Sequence, residues 1–287
     1  MKTYVVYNKK ANNNQGVKGA FRIKDIWTTK DLIYKEVNEF DTYQELFDSL
    51  DKDDEVVICG GDGTLNYLVN DLDCDAVDNA IYYYPTGTGN DFWTDLGKKE
   101  EDPPMIINKY LRKLPVVKVN GMKRKFINGI GYGIDGYCCE VGDKQRAKDN
   151  GKQINYTSIA IKGLLFHYKP TKASVTVDGK LYAFDKTWLA PTMNGRCYGG
   201  GMYAAPEQDR LNPERTVTVM VMHSRGKIGT LAAFPSIFTG DHVKKKDIVT
   251  TIVGKSVRVE FDRPVALQID GETVLNVREY EVETAEA

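Results

Sequence analysis

Histidine is scarce in this 287-residue chain and its cysteines are unpatterned. The three histidines, His167, His223 and His242, share no ligand spacing. The five cysteines (Cys59, Cys74, Cys138, Cys139 and Cys197) are odd in number and include no CxxC pair. These absences argue against a zinc finger or a disulfide framework and point to a reducing compartment. No apolar run approaches the roughly 20 residues that cross a bilayer. The stretch from Met1 to Asn8 is too short in apolar residues for a secretory signal, so the expectation is a cytoplasmic protein, at most peripheral to a membrane. Charge of one sign is lacking too. With 39 basic and 40 acidic residues the net charge is −1, which disfavours nucleic acid as a partner.

What the chain does have is a change of pattern near its middle. The first part alternates short apolar runs with helical stretches: a strand over 3–7, a helix over 25–35, and a short helix opened by the capping-box spacing Thr42-Tyr43-Gln44-Glu45. A strand over 55–59 and another over 81–85 follow, each running into a glycine-rich loop and then a helix. This alternation predicts a parallel, Rossmann-like α/β domain over 1–114. Beyond it come β-branched runs at 116–119, 173–177, 187–191, 216–222, 256–261, 265–269 and 273–277. They are separated by Asn120-Gly121, Asp178-Gly179 and Asp270-Gly271, dipeptides suited to tight hairpins. A β-sandwich over 115–287 is expected, with a helical interruption between 143 and 169 and with the last residues free to return to the first domain.

The two glycine loops are the best candidates for chemistry. Gly60-Gly61-Asp62-Gly63-Thr64 and Thr86-Gly87-Thr88-Gly89-Asn90-Asp91 both leave the carboxyl ends of strands, the edge at which open α/β sheets bind ligands. Glycine lets backbone N–H groups approach a phosphate with no Cβ in the way, and Thr64 stands where a helix begins. Each loop also carries a carboxylate, Asp62 and Asp91, which a plain anion cradle does not need. Carboxylates beside phosphate make sense with a divalent cation between them. The pair therefore predicts an enzyme handling a nucleoside triphosphate with Mg²⁺. A tight strand-to-helix turn is the bland alternative for either loop alone.

A third string, Gln268-Ile269-Asp270-Gly271-Glu272, reads most simply as a hairpin turn; its functional reading makes Asp270 a proton acceptor and places Glu272 near a metal. The apolar stretch at 156–168, flanked by Lys152, Lys162 and Lys169, is read as a face packed on the sandwich in preference to a membrane contact. Lys9, Lys10, Lys18, Arg22 and Lys24 form a basic cluster whose default role is a solvated face.

Six strings, GGDGTLN (60–66), PTGTGNDF (85–92), FINGIGYGID (126–135), GGGMYAAP (199–206), TGDH (239–242) and QIDGE (268–272), occur in an order that resembles the diacylglycerol kinase catalytic family. That family also includes sphingosine and ceramide kinases. The resemblance runs from about Tyr4 to Val277 and implies an ATP- and Mg²⁺-dependent lipid kinase acting on lipid presented at a membrane surface; a homodimer is compatible with it. It implies that Gly60, Gly61, Gly63 and Thr64 meet the ATP phosphates, with Asp62 in the metal-linked or catalytic position. Thr86, Gly87, Thr88, Asn90 and Asp91 match the second nucleotide loop, Asp91 on the metal side. Asp270 matches the general base, Glu272 a nucleotide- or metal-side carboxylate, and Asn8 the Asn of an N-terminal Asn-Pro motif, here followed by Lys9. Two positions depart from the family. Leu114-Pro115-Val116-Val117-Lys118 has no acid before the strand entering the second domain. The acidic Asp-Asp-Gly turn that holds a structural Mg²⁺ is replaced after Pro206 by Glu207-Gln208-Asp209-Arg210-Leu211-Asn212-Pro213-Glu214. An NAD kinase-like enzyme, which shares GGDGT, and a catalytically silent nucleotide- or lipid-binding member are the competing readings.

Overall fold

A computed structural model describes residues 1–9, 16–87, 89–148 and 154–286; Thr88, Lys10 and Lys152 fall outside them. The chain divides into two compact units, Met1–Leu114 and Pro115–Ala287.

The first unit is built on a sheet ordered β2-β1-β3-β4-β5. Strands β1 (Thr3–Tyr7), β2 (Leu32–Glu36), β3 (Glu55–Gly60) and β4 (Ala80–Pro85) are parallel, and β5 (Met105–Ile106) runs antiparallel at the edge. Val5, Val6, Val56, Val57, Ile58 and Tyr83 are fully buried, as strands covered on both faces require. The covering helices are α1 (Gly16–Phe21), α2 (Ile23–Ile26), α3 (Tyr43–Asp48), α4 (Asp62–Asp71), α5 (Asp91–Asp95) and α6 (Asn108–Leu111). Thr42 Oγ1 caps α3 by accepting from the Glu45 N–H at 3.0 Å, and Glu45 reaches back to the Asp41 N–H. The register pairs Tyr7 with Cys59 and Cys59 with Tyr84. Asn8, Gly61 and Thr86 therefore leave the sheet at one edge.

The helix expected over 25–35 is a correction. Only Ile23–Ile26 is helical, and Leu32–Glu36 is a strand paired with β1 at all five positions. The Leu32-Ile33-Tyr34 run is too short to decide between periods, and the open edge of β1 decides for it. Phe21 stacks on Tyr34 with ring centroids 4.5 Å apart, which locks the choice.

The second unit is antiparallel and sandwich-like. Among the described residues its strands are β6 (Val116–Val119), β7 (Met122–Lys125), β8 (Gly129–Tyr132), β9 (Thr171–Val177), β10 (Lys180–Thr187), β11 (Thr192–Met193), β12 (Val217–Met222), β13 (Val249–Gly254), β14 (Ser256–Ile269) and β15 (Glu272–Glu283). They run β13-β12-β11-β8-β14-β15-β6-β7, with β9 on β14 and β10 on β9. The runs expected at 256–261 and 265–269 form one long strand whose ladder with β15 shifts between Glu260 and Val265, where Pro264 has no N–H to offer. The strand expected over 187–191 is absent. Leu189 makes isolated bridges to Gly133 and Met222 instead, while Thr187 is the last residue of β10, beyond a register shift where Lys186 has a positive φ. The helical interruption is α7 (Ile134–Lys148) and α8 (Tyr156–Lys162) followed by one wide turn, Gly163–His167. Ile159, Ala160 and Leu164 join the core, while Phe166 is 73% exposed. A further helix, α9, spans Lys227–Ala233. No described helix is long and apolar enough to cross a membrane.

Candidate functional site

In the first unit, β3 and β4 deliver the two glycine loops side by side, and the loops are packed backbone against backbone. A Cβ on Gly87 would lie 2.5 Å from Gly61 Cα, and one on Gly61 would lie 2.8 Å from the Gly89 carbonyl oxygen. The Gly60 carbonyl accepts from three donors: the N–H groups of Thr86 (2.9 Å) and Gly87 (3.2 Å) and the Tyr83 hydroxyl (3.0 Å). The Asp62 N–H donates to Gly89 O at 3.2 Å, and Asn90 Nδ2 donates to Gly87 O at 3.0 Å. Several of these glycines are thus explained by loop-on-loop contact. Gly63 is different: a Cβ there meets nothing within 4 Å. It faces open space at the start of the ten-residue helix α4, where the helix dipole favours an anion.

Asp62 ties the loops together. Its Oδ2 accepts from the Asp91 N–H at 2.7 Å and its Oδ1 from the Phe92 N–H at 3.0 Å, so it caps α5 from a position 29 residues earlier. Asp91 is buried in the first turn of α5. Burial, with the nearby Asp62, Cys59 and Asp91, holds the Tyr83 hydroxyl well above its ordinary titration range, so it stays a neutral donor. Thr86 Oγ1 is buried with no hydrogen-bond partner, beneath α1, where Gly19 packs on the Thr86 methyl group. That places this hydroxyl under cover. Asn8 and Thr64 are half-buried.

The donor set can be tested against Mg²⁺. Among the described residues, no group of three or more His, Cys, Asp or Glu side chains is arranged to hold a metal. Asp62 and Asp91 are the two carboxylates of the loops, and each Asp62 oxygen accepts from a backbone N–H. The residues therefore fit Mg²⁺ held jointly by one or two carboxylates and nucleotide phosphates, the usual manner of this ion, and do not fit an all-protein cage.

In the second unit, Asp270 and Gly271 occupy a hairpin turn with φ of 46° and 95°. The turn is structural, yet the carboxylate is also engaged. Asp270 Oδ2 accepts from the Ile127 N–H (2.6 Å), and Oδ1 from the N–H groups of Asn128 (2.8 Å) and Gly129 (3.0 Å). Such a cradle is not by itself a catalytic signature. At the equivalent turn Asp178-Gly179, Asp178 Oδ1 accepts from the N–H groups of Lys255 and Ser256, both at 2.9 Å. Glu272, the first residue of β15, is exposed and pairs with Ile269. The structure brings Asp62, Asn90, Asp91 and the glycines together in one unit and Asp270 with Glu272 in the other.

Two buried charges escaped the sequence reading. Asp135, in the first turn of α7, accepts from the Tyr198 hydroxyl at 2.9 Å and the Gly136 N–H at 2.9 Å. Burial pushes its carboxyl up to about 6, against the pull of those bonds. A Cβ at Gly131 would sit 1.9 Å from its Oδ2, so glycine there admits the carboxylate. Arg210 is 8% exposed, with Nη1 donating to Ile127 O at 2.9 Å and Nη2 to Asn128 Oδ1 at 3.2 Å. Asn128 and Asp135 stand inside the string 126–135, so the signal for them was in plain view. Arg210, in a polar stretch, reads as a surface residue. A cavity of about 460 Å³ also opens in this unit between α7 and β14, lined by Tyr137, Tyr168, Lys169, Arg263 and Val265 among others, and Asp270 is not part of its wall.

Residues 2–119 match the family model for the diacylglycerol kinase catalytic domain, and residues 128–281 match that for the YegS C-terminal NAD kinase beta sandwich-like domain. A diacylglycerol kinase of Bacillus subtilis (strain 168) is 29% identical over 232 residues, 76% of this chain and 71% of the relative. A diacylglycerol kinase of Mycobacterium tuberculosis (strain ATCC 25618 / H37Rv) is 27% identical over 214 residues, 72% and 67% of the two chains. Among solved structures, a diacylglycerol kinase from Bacillus anthracis str. Sterne superposes with a TM-score of 0.64 at 21% identity, covering 99% of this chain and 94% of that one, a likeness of fold.

Proposed function

Because the chain belongs to the diacylglycerol kinase catalytic-domain family, we propose that it is an ATP- and Mg²⁺-dependent lipid kinase whose acceptor is a hydroxyl of diacylglycerol or a related lipid, met at a membrane surface by a cytoplasmic protein. The observation that carries this reading beyond family membership is the pair of loops bolted together by Asp62 with Gly63 left open at the α4 N-terminus. A loop pair held that rigidly presents fixed N–H dipoles to a phosphate, and fixed dipoles are what phosphoryl transfer asks of a protein.

In this reading Gly63 and Thr64 meet the triphosphate, and Asn8, Asn90 and Glu272 flank the nucleotide. Asp62 and Asp91 are the side chains that would hold Mg²⁺, which when bound would neutralise phosphate charge. The lipid hydroxyl oxygen attacks the γ-phosphorus, the new O–P bond forms, the bond to the β,γ-bridging oxygen breaks, and ADP leaves. Asp270 takes the hydroxyl proton. What supports that role is that three N–H groups fix the carboxylate of Asp270.

The test is ATP consumption across diacylglycerol, monoacylglycerol, ceramide, sphingosine, phosphatidylglycerol and NAD, with Asp270→Asn alongside. Asn tolerates the positive φ of the turn but has one acceptor oxygen where Asp270 uses two, so the melting temperature of the variant is measured beside its activity. Turnover on a lipid with kcat lowered about 10²- to 10⁴-fold in the variant is expected. Turnover on NAD alone moves the chain to the NAD kinase-like reading, ATP binding without turnover makes it a silent member, and undiminished Asp270→Asn activity removes Asp270 as the base.

A further inference from the structure

The carboxylate of Asp270 is held by a segment that is itself held from behind. Residues 127–129 spend their N–H groups on Asp270, and two carbonyls of the same peptides, those of Ile127 and Asn128, accept bonds from elsewhere in the unit. The Ile127 carbonyl accepts from Arg210 Nη1 and from Asn194 Nδ2, both at 2.9 Å. The Asn128 carbonyl accepts from the N–H groups of Asn194 (2.9 Å) and Gly195 (3.0 Å). The Ile127 carbonyl and the Asn128 N–H belong to one peptide group. The buried guanidinium thus sits at one end of a peptide whose other end donates to Asp270 Oδ1.

We infer that Arg210 is a positioning residue for Asp270, orienting and polarising the 127–128 peptide that presents the carboxylate. The inference rests on Asp270 being the base. Burying a guanidinium is costly unless its donors find partners, and two of them meet this one segment. Cationic charge on a carbonyl strengthens the N–H bond at the far side of the same peptide. Arginine suits the task because its planar fork spans Ile127 O and Asn128 Oδ1 together, which a lysine ammonium does not.

Asp178 differs from Asp270 in what stands behind its donors. That turn also gathers two N–H groups on a carboxylate, but its donors lie on an exposed stretch, whereas the Asp270 donors are backed by a buried cation. Arg210 also stands in the segment 207–214, which departs from an acidic, metal-holding turn. Asp209 Oδ1 there accepts from the Leu211 N–H, and Gln208 is buried with its side-chain oxygen accepting from the Thr218 hydroxyl. The residues do not fit a second, structural divalent ion. Arg210 puts a permanent cation of the chain's own into the interior from this segment.

The test uses the full chain with Arg210→Lys and Arg210→Gln. Amide resonances of Asn128 and Gly129 in deuterated protein report the bonds to Asp270 without any need for activity. Both resonances are expected to move upfield in each variant, more in Arg210→Gln. With an active lipid substrate, kcat is expected to fall about 10- to 100-fold while KM for ATP holds, and the acid limb of the kcat–pH profile to shift to higher pH, because weaker donors stabilise the ionised carboxylate less. Melting of the wild-type chain is expected to be unchanged by EDTA. Folded Arg210→Lys with wild-type amide shifts overturns the inference, as does a lowered melting temperature with an unmoved pH profile. If the wild type turns over no lipid, the kinase reading fails and the amide shifts still decide for or against Arg210.

Discussion

Gly87→Ala and Gly63→Ala separate glycines that the loops need for packing from a glycine that a ligand needs for access. Neither position has a left-handed φ, so backbone strain drops out and only space differs. At Gly87 the new Cβ would sit 2.5 Å from Gly61 Cα and 2.8 Å from Gly61 N. Both are backbone atoms that no rotamer change can move. Reaching ordinary contact requires the loops to part by about 1 Å, against the bonds that Thr86 and Gly87 make to Gly60 and Asp62 makes to Gly89. Overpacking at about 1–3 kcal/mol, together with one or two weakened hydrogen bonds, gives a loss of about 2–4 kcal/mol. For a unit of this size that is a drop of roughly 8–15 °C in melting temperature. At Gly63 the methyl meets open space in the first turn of α4, and replacing glycine there is expected to be neutral or stabilising by up to about 1 kcal/mol. Yet if phosphate approaches that face, the methyl stands in its way, and KM for ATP should rise at least tenfold, equivalent to about 1.4 kcal/mol. Thermal melts and ATP-dependent initial rates on both variants check this. A Gly87→Ala protein as stable as wild type refutes the packing account, and a Gly63→Ala protein with unchanged KM refutes the phosphate account.

Asp62→Ala should leave the Asp91 and Phe92 N–H groups without their acceptor and cost about 2–3 kcal/mol in urea unfolding; a change below about 0.5 kcal/mol would show that the bridge between the loops is dispensable. Asp135 has its carboxyl raised in the fold from an ordinary value of 3.8 to about 6, chiefly by burial. The stability it contributes is therefore complete below about pH 4 and lost as pH climbs through 6, on the order of 3 kcal/mol by neutral pH. Asp135→Asn should accordingly gain on wild type between pH 4.5 and pH 7.5, and an equal gap between the two urea midpoints at both values would rule out this origin.

Legibility followed the range of the interactions. The turns at Asn120-Gly121, Asp178-Gly179 and Asp270-Gly271 all carry the positive φ that their residues invite, because that preference is set within two residues. Thr42 caps its helix for the same reason. Strand β8, Gly129–Tyr132, escaped notice because glycine is a poor strand former. It exists because β14 and β11 pair with it on either side. Leu32–Glu36 took the strand form for the similar reason that β1 offered an unpaired edge.

The sequence by itself determined the alternation of the first unit, the hairpin chemistry of the second and the family to which both belong, since these reside in local propensity and in strings of residues. Only the tertiary structure decided what the carboxylates do. Asp62 reaches amides 29 and 30 residues away, and Asp270 meets donors 141 to 143 residues earlier in the chain. Arg210 became a buried cation because the fold brought the Ile127 carbonyl and the Asn128 side chain to it from 83 and 82 positions off. Contacts of that span depend on how whole strands are paired and stacked, and no local pattern encodes them.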